Sequence, residues 1–165
     1  MENKMSKKEN IIQVIKFACF SASAGAIEVI SFTLLNELLP NTESANAIAQ
    51  WFFNSEYGAA YLVALILSVL WNFTFNRKFT FKSAANVPSA MAKVFAFYIV
   101  FTPVTTILGE VAAKHFTWKF SEYVILAVTM LSNMILEYLY NRFVVYKDTM
   151  NTNNLANKEK ENAAK

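Results

Sequence analysis

The feature that most constrains this chain is the length of its apolar runs. Residues 11–39, 57–75, 91–113 and 123–140 are four such stretches, separated by polar breaks. Each is close to the roughly 20 residues a helix needs to cross about 30 Å of hydrocarbon. Composition agrees: 55% of residues are hydrophobic and 16% charged, with a mean hydropathy of +0.30, high for a soluble domain of 165 residues. The expected fold is an all-α membrane protein with four transmembrane helices, about 11–39, 57–76, 91–113 and 121–142, paired as two tandem hairpins.

Charge placement orients these helices. Lys4, Lys7, Lys8 and Lys16 precede or open the first run; Arg77, Lys78, Lys82 and Lys93 lie between the second and third. Arg142, Lys147, Lys158, Lys160 and Lys165 follow the fourth, leaving only Lys114 and Lys119 for the opposite loops. The positive-inside rule then predicts both termini in the cytoplasm, N-in and C-in. Residues 1–10 are expected to be a cytoplasmic segment, disordered or at the membrane surface. The Asn/Lys/Glu-rich tail 148–165 has no packing face and is expected to be disordered. The basic start and Ala22-Ser23-Ala24 resemble a cleavable signal, but Gln13 and Lys16 interrupt its core and the apolar pattern continues to Leu39. A retained first helix is expected.

Several chemistries are excluded. Cys19 is a lone cysteine in an apolar run and His115 a lone histidine, so no disulfide framework, metal site or cofactor is expected. A net charge of +3 on a membrane chain gives no reason to expect a nucleic-acid partner.

Polar residues inside the runs carry more information. Glu28 follows Lys16 by about 18 Å of helix, near the bilayer centre, where an ionisable group is costly and functional by default. Its alternative role is packing glue, as a protonated acid bonded across the bundle. Ser21 and Gly25, like Ala18 and Ala22, are four apart and suit close helix approach. Pro40 ends the first helix. In the acidic loop 41–56, the stretch 47–53 (AIAQWFF) is too short to span and places Trp51 at headgroup depth. Pro103 predicts a kink, with Thr102, Thr105 and Thr106 placed to re-satisfy the freed carbonyl. Glu110 and Lys114, at i and i+4, read as an interfacial ion pair.

The chain also repeats itself. Residues 71–82, WNFTFNRKFTFK, align with 136–147, LEYLYNRFVVYK, when Asn76 is laid on Asn141. Aromatics precede the Asn at Phe73, Phe75, Tyr138 and Tyr140; an Asn-Arg pair follows, then Phe81 or Tyr146, then Lys82 or Lys147. In the same register Ser68, Asn72 and Asn76 answer to Asn133, Glu137 and Asn141, one polar stripe per helix. The first and third helices share only a basic start and an aromatic cluster. Two hairpins in the same orientation would bring both boxes to the cytoplasmic leaflet, as in parallel-repeat transporters.

Chemically, Arg77 and Arg142 suit bidentate phosphate binding, with Lys78 adding charge and Asn76 and Asn141 offering amides. Ser68, Asn72, Asn133, Glu137 and Glu28 could line a path for a polar headgroup. Phe73, Phe75, Phe81, Tyr138 and Tyr140 suit a prenyl tail or a sugar face. The competing reading is an ordinary anchor, since basic and aromatic residues gather at any cytoplasmic boundary. Anchoring, however, needs no polar stripe inside the span.

The pattern N-F-x-x-N-R-x-F-x-F at 72–81 and its weaker copy E-Y-L-Y-N-R-F-V-V-Y at 137–146 resemble the GtrA-like family. The resemblance covers 11–147. It implies a role in bacterial cell-surface polysaccharide or teichoic acid glycosylation, as a flippase moving a polyprenyl-phosphate-linked monosaccharide from the inner to the outer leaflet of the cytoplasmic membrane. Asn72, Asn76, Arg77, Phe81, Asn141 and Arg142 match its pattern, while Glu137 replaces an Asn and Tyr146 a Phe. The implied partners are that lipid-linked sugar, membrane lipids and membrane glycosyltransferases; a homodimer is expected separately, because four helices make only a thin wall around a headgroup. No covalent chemistry is implied. Two other classes stay open: a non-transporting accessory subunit of a membrane glycosyltransferase, and a small multidrug/proton antiporter, since a first-helix Glu28 also resembles the small multidrug resistance family.

Overall fold

The computed structural model describes residues 6–38, 59–116 and 118–163, and the regular elements among them are all helical. Helix α1 spans Lys7–Leu38, α2 Ala59–Phe75, α3 Val87–His115, α4 Ser121–Tyr140 and α5 Asn154–Ala163. Helices α1 to α4 each contain a span long and apolar enough to cross a membrane. Pro40, the loop 41–56 and its segment 47–53 with Trp51 lie outside the described residues.

The burial pattern fits lipid as the surrounding solvent. Ile99, Val29 and Leu108 are more than three-fifths exposed, while Gln13, Ser68, Asn76 and Asn141 are buried. In water that arrangement would leave a large apolar surface unpaid; in hydrocarbon the apolar side chains face outward and polar groups seek each other inside. The protein is therefore a multi-pass membrane protein.

The chain forms two compact units, Ile15–Asn76 and a second made of residues up to Val14 together with Arg77–Lys165. In the first unit α1 packs on α2. Phe17 and Ala24, two turns apart on one helical face, are buried, and Phe20 meets Phe75 with ring centroids 5.4 Å apart. Gly25 is not at a close approach, contrary to the small-residue expectation: a Cβ there would meet nothing within 4 Å. The contact runs along the Phe17–Ser21–Ala24–Glu28 side instead.

In the second unit α3 begins with local chemistry suited to a helix start. Asn86 caps it by accepting from the Ser89 amide at 3.2 Å, and Pro88 sits in the first turn, where a missing N–H costs nothing. Pro103 lies inside α3. Thr105 returns its hydroxyl to the Phe101 carbonyl at 2.9 Å, one turn back along the helix. Glu110 and Lys114 do not pair: among the described residues the ion pair present is Lys82–Glu159.

That ion pair belongs to the tail, which differs from its disordered expectation. The Asn151 amide donates to the Phe81 carbonyl, and the Thr152 and Asn153 amides to the Lys82 carbonyl, all at 3.0 Å. Asn153 also donates from Nδ2 to the Lys78 carbonyl at 2.9 Å and caps α5 by accepting from Leu155 and Ala156. Ala156 is buried. Lys82 and Asn151 take left-handed φ values of 46° and 59°, the sharp reversals that bring these backbone groups face to face. A polar tail without an apolar stripe is held here by backbone hydrogen bonds.

Candidate functional site: the two Asn-Arg boxes and their polar tracks

The repeated sequence builds repeated backbone. Both α2 and α4 run on from α-helix into one wider π-helical turn, at Asn76–Thr80 and Asn141–Val145, each starting on the Asn of its box. The Tyr146 amide donates to the Asn141 carbonyl at 2.8 Å across the second turn. Single π turns break the regular hydrogen-bond ladder and recur at functional sites.

The hairpins also share an internal contact scheme that the sequence only hinted at. Lys16, Phe20 and Ser21 stand 77 residues before Lys93, Phe97 and Tyr98. In the first unit Phe20 packs on Phe75 at 5.4 Å with planes at 41°; in the second Phe97 packs on Tyr140 at 5.2 Å and 43°. Ser21 donates to Asn72 Oδ1 at 3.3 Å, and Tyr98, its counterpart, donates to Glu137 Oε1 at 3.1 Å. Asn72 and Glu137 are thus equivalent positions, each meeting a hydroxyl from the preceding helix. The substitution of acid for amide at Glu137 comes with an exchange of serine for tyrosine opposite.

Within the first unit the polar stripe is continuous along α2. Ser68 donates to Glu28 Oε2 at 2.9 Å, and Asn76 Nδ2 donates to Asn72 Oδ1 at 2.6 Å. Trp71 Nε1 donates to Ser23 at 3.0 Å. Glu28 is therefore held across the helix pair by a buried hydroxyl, which lowers the cost of a carboxyl at that depth.

Within the second unit the arginines of both boxes are oriented by neutral groups. Arg77 gives Nε and Nη2 to the Ala85 carbonyl at 3.1 and 2.7 Å. Arg142 gives Nη1 to Tyr138 Oη at 2.8 Å and Nη2 to Asn10 Oδ1 at 2.7 Å, and lies over the Phe143 ring at 5.6 Å. Both guanidinium groups are half-buried, and neither meets a carboxylate among the described residues. Lys78 is exposed, with its ammonium 5.1 Å from the Phe79 ring centre. Asn141 is 5% exposed, and its side-chain amide has no hydrogen-bond partner among the described residues. Asn133 is half-buried.

The aromatic residues divide. Phe81 and Tyr146, equivalent positions of the two boxes, stack on each other at 4.7 Å, and Phe81 also stacks on Tyr138 at 6.0 Å. Phe73, Phe81 and Tyr138 are buried in protein, whereas Phe75 and Tyr140 are half-buried. Burial pushes the Tyr146 phenol well above its ordinary value; the positive charge of Arg77 opposes this and the negative charge of Glu137 adds to it.

Gln13 and Asn10 were not foreseen as site residues. Gln13, 3% exposed, donates from Nε2 to the Thr80 carbonyl at 3.2 Å and to Met150 Sδ at 3.4 Å, and accepts from Tyr138 Oη at 2.9 Å. It ties the end of the first π turn to α4, three residues before the second turn begins. A glutamine inside an apolar run was the available signal. A separate cavity of about 450 Å³ lies between α3 and α4 towards His115, lined mainly by apolar groups with Thr105, Ser121, Thr129 and Ser132. None of the foreseen site residues lines it.

No curated protein and no solved structure matches the chain. A family model does: the GtrA/DPMS transmembrane domain matches residues 16–146, which include all four spans' cores and both boxes. With four membrane-spanning helices and two Asn-Arg boxes on π turns, the protein belongs to the GtrA/DPMS transmembrane-domain family.

Proposed function

We propose that this protein is a translocase that moves a polyprenyl-phosphate-linked monosaccharide from the inner to the outer leaflet of the bacterial cytoplasmic membrane, for glycosylation of a surface polysaccharide or teichoic acid. The family places it with membrane proteins of lipid-linked sugar translocation. The observation that carries the reading is the pair Arg77 and Arg142: half-buried guanidinium groups, oriented by carbonyl, phenol and amide oxygens but not neutralised by a carboxylate among the described residues. Desolvated positive charge without a counter-ion is costly, and a lipid phosphate offsets it through charge-assisted hydrogen bonds.

In this mechanism no covalent bond changes. The boxes face the cytoplasm, N-in and C-in, and capture the phosphate, with Asn141 and Lys78 adding donors. In the one unit Ser68, Asn72, Asn76 and Glu28, and in the other Asn133 and Glu137, offer hydrogen-bond partners to the sugar hydroxyls. Phe75 and Tyr140, half-buried, meet the prenyl chain, which stays in lipid. The test is leaflet transfer of a radiolabelled polyprenyl-phosphate sugar by purified protein in liposomes. Wild type transfers it and Arg77→Ala/Arg142→Ala does not. Transfer undiminished in the double variant refutes the phosphate role. Failure of folded wild type with several sugars replaces the translocase by an accessory subunit of a glycosyltransferase, whereas proton-coupled uptake of an organic cation points to an antiporter.

A further inference from the structure

The first turns of α1 reach the second box in a way that suggests a specific job. Asn10 Oδ1 accepts from Arg142 Nη2 at 2.7 Å, and Gln13 Oε1 accepts from Tyr138 Oη, whose oxygen in turn accepts from Arg142 Nη1 at 2.8 Å. Both amide carbonyl oxygens therefore point towards the guanidinium side of the network, one directly and one through the phenol. Gln13 is fixed in that orientation by its Nε2 bonds to the Thr80 carbonyl and Met150. Two donors of Arg142 are thereby pinned to neutral oxygens.

Neutrality is the informative point. A carboxylate at position 10 would occupy the same place and make a stronger bond, but it would cancel the charge it holds. An amide fixes the fork's direction and leaves the full positive charge to an outside anion. We infer that Asn10, supported by Gln13, is the positioning residue of Arg142: it aims the guanidinium at a phosphomonoester- or phosphodiester-bearing lipid while keeping its charge uncompensated. The inference rests on the lipid-phosphate reading above, and makes the start of α1 part of the headgroup site.

The test uses full-length protein in nanodiscs of zwitterionic lipid, titrated with a sugar-free polyprenyl phosphate and, in parallel, the corresponding polyprenyl alcohol. Wild type binds the phosphate in preference to the alcohol. Asn10→Asp, almost unchanged in shape, loses about tenfold or more of its phosphate affinity with alcohol binding unchanged, and its thermal midpoint does not fall. A merely structural Asn10 would leave the phosphate-over-alcohol preference intact. Equal phosphate affinity in Asn10→Asp and wild type overturns this inference alone; a wild type that does not distinguish phosphate from alcohol overturns it together with the lipid-phosphate reading. Should Asn10→Asp fail to fold, Asn10→Ala takes its place. Release of the guanidinium then weakens phosphate binding severalfold, and wild-type affinity is the refuting result.

Discussion

Replacing Gln13 by leucine keeps side-chain size and removes the amide that joins the first π turn to the last turn of α4. The Thr80 carbonyl loses a donor at 3.2 Å and the Tyr138 hydroxyl loses its acceptor at 2.9 Å, both at sites less than 8% exposed. Stripping a hydrogen bond from a buried polar group costs about 1–3 kcal/mol, so the two together cost about 2–6 kcal/mol. The leucine returns about 1–2 kcal/mol through apolar burial, and the contact to Met150 Sδ is too weak to change the balance. Gln13→Leu should therefore destabilise the protein, by up to about 5 kcal/mol, measured by denaturant titration in lipid micelles with circular dichroism. Adding Tyr138→Phe removes the hydroxyl that lost its acceptor, so the cost of Gln13→Leu should shrink by about 1 kcal/mol in that background. A variant more stable than wild type, or no coupling between the two positions, would refute the bridging role.

Two other outcomes follow from the same region. Tyr146 is buried and its phenol is held protonated well above the ordinary value. The unfolded chain loses that proton near pH 10, while the folded chain keeps it. Its stabilising contribution is thus complete below about pH 10 and declines as pH rises beyond that. Tyr146→Phe should flatten this alkaline decline, and an identical pH–stability curve for wild type and variant argues against it. Deleting residues 150–165 strips the amides that cap the Phe81 and Lys82 carbonyls and the Thr152 hydroxyl that accepts from the Ala84 amide. Hydrogen exchange over 77–86 should accelerate; unchanged protection would mean the tail does not secure the first box.

The sequence by itself determined what depends on neighbours along the chain. Apolar runs of membrane length specify four spans, because a backbone in hydrocarbon must satisfy its own hydrogen bonds and a helix does so locally. The repeated Asn-Arg boxes announced themselves by identity, and their common register foretold that both helices would end alike, although the π turns themselves were not foreseen. Contacts between distant segments were another matter. Ser21 and Tyr98 look unrelated, and only their matching bonds to Asn72 and Glu137 reveal one repeated contact. Asn10 fell in a segment expected to be a disordered or surface cytoplasmic tail, yet it holds Arg142. The C-terminal tail lacks any apolar periodicity, so no pattern could announce that its backbone amides would cap the loop after the first box. Among the box aromatics, Phe81 suits a prenyl chain by residue type, and only the structure shows it stacked on Tyr146 at 4.7 Å, both rings buried in protein. Local periodicity decides which segments are helical and which face carries polar groups. Which of those groups meet depends on how separate segments pack, because a hydrogen bond between residues more than a hundred positions apart leaves no periodic trace in the chain.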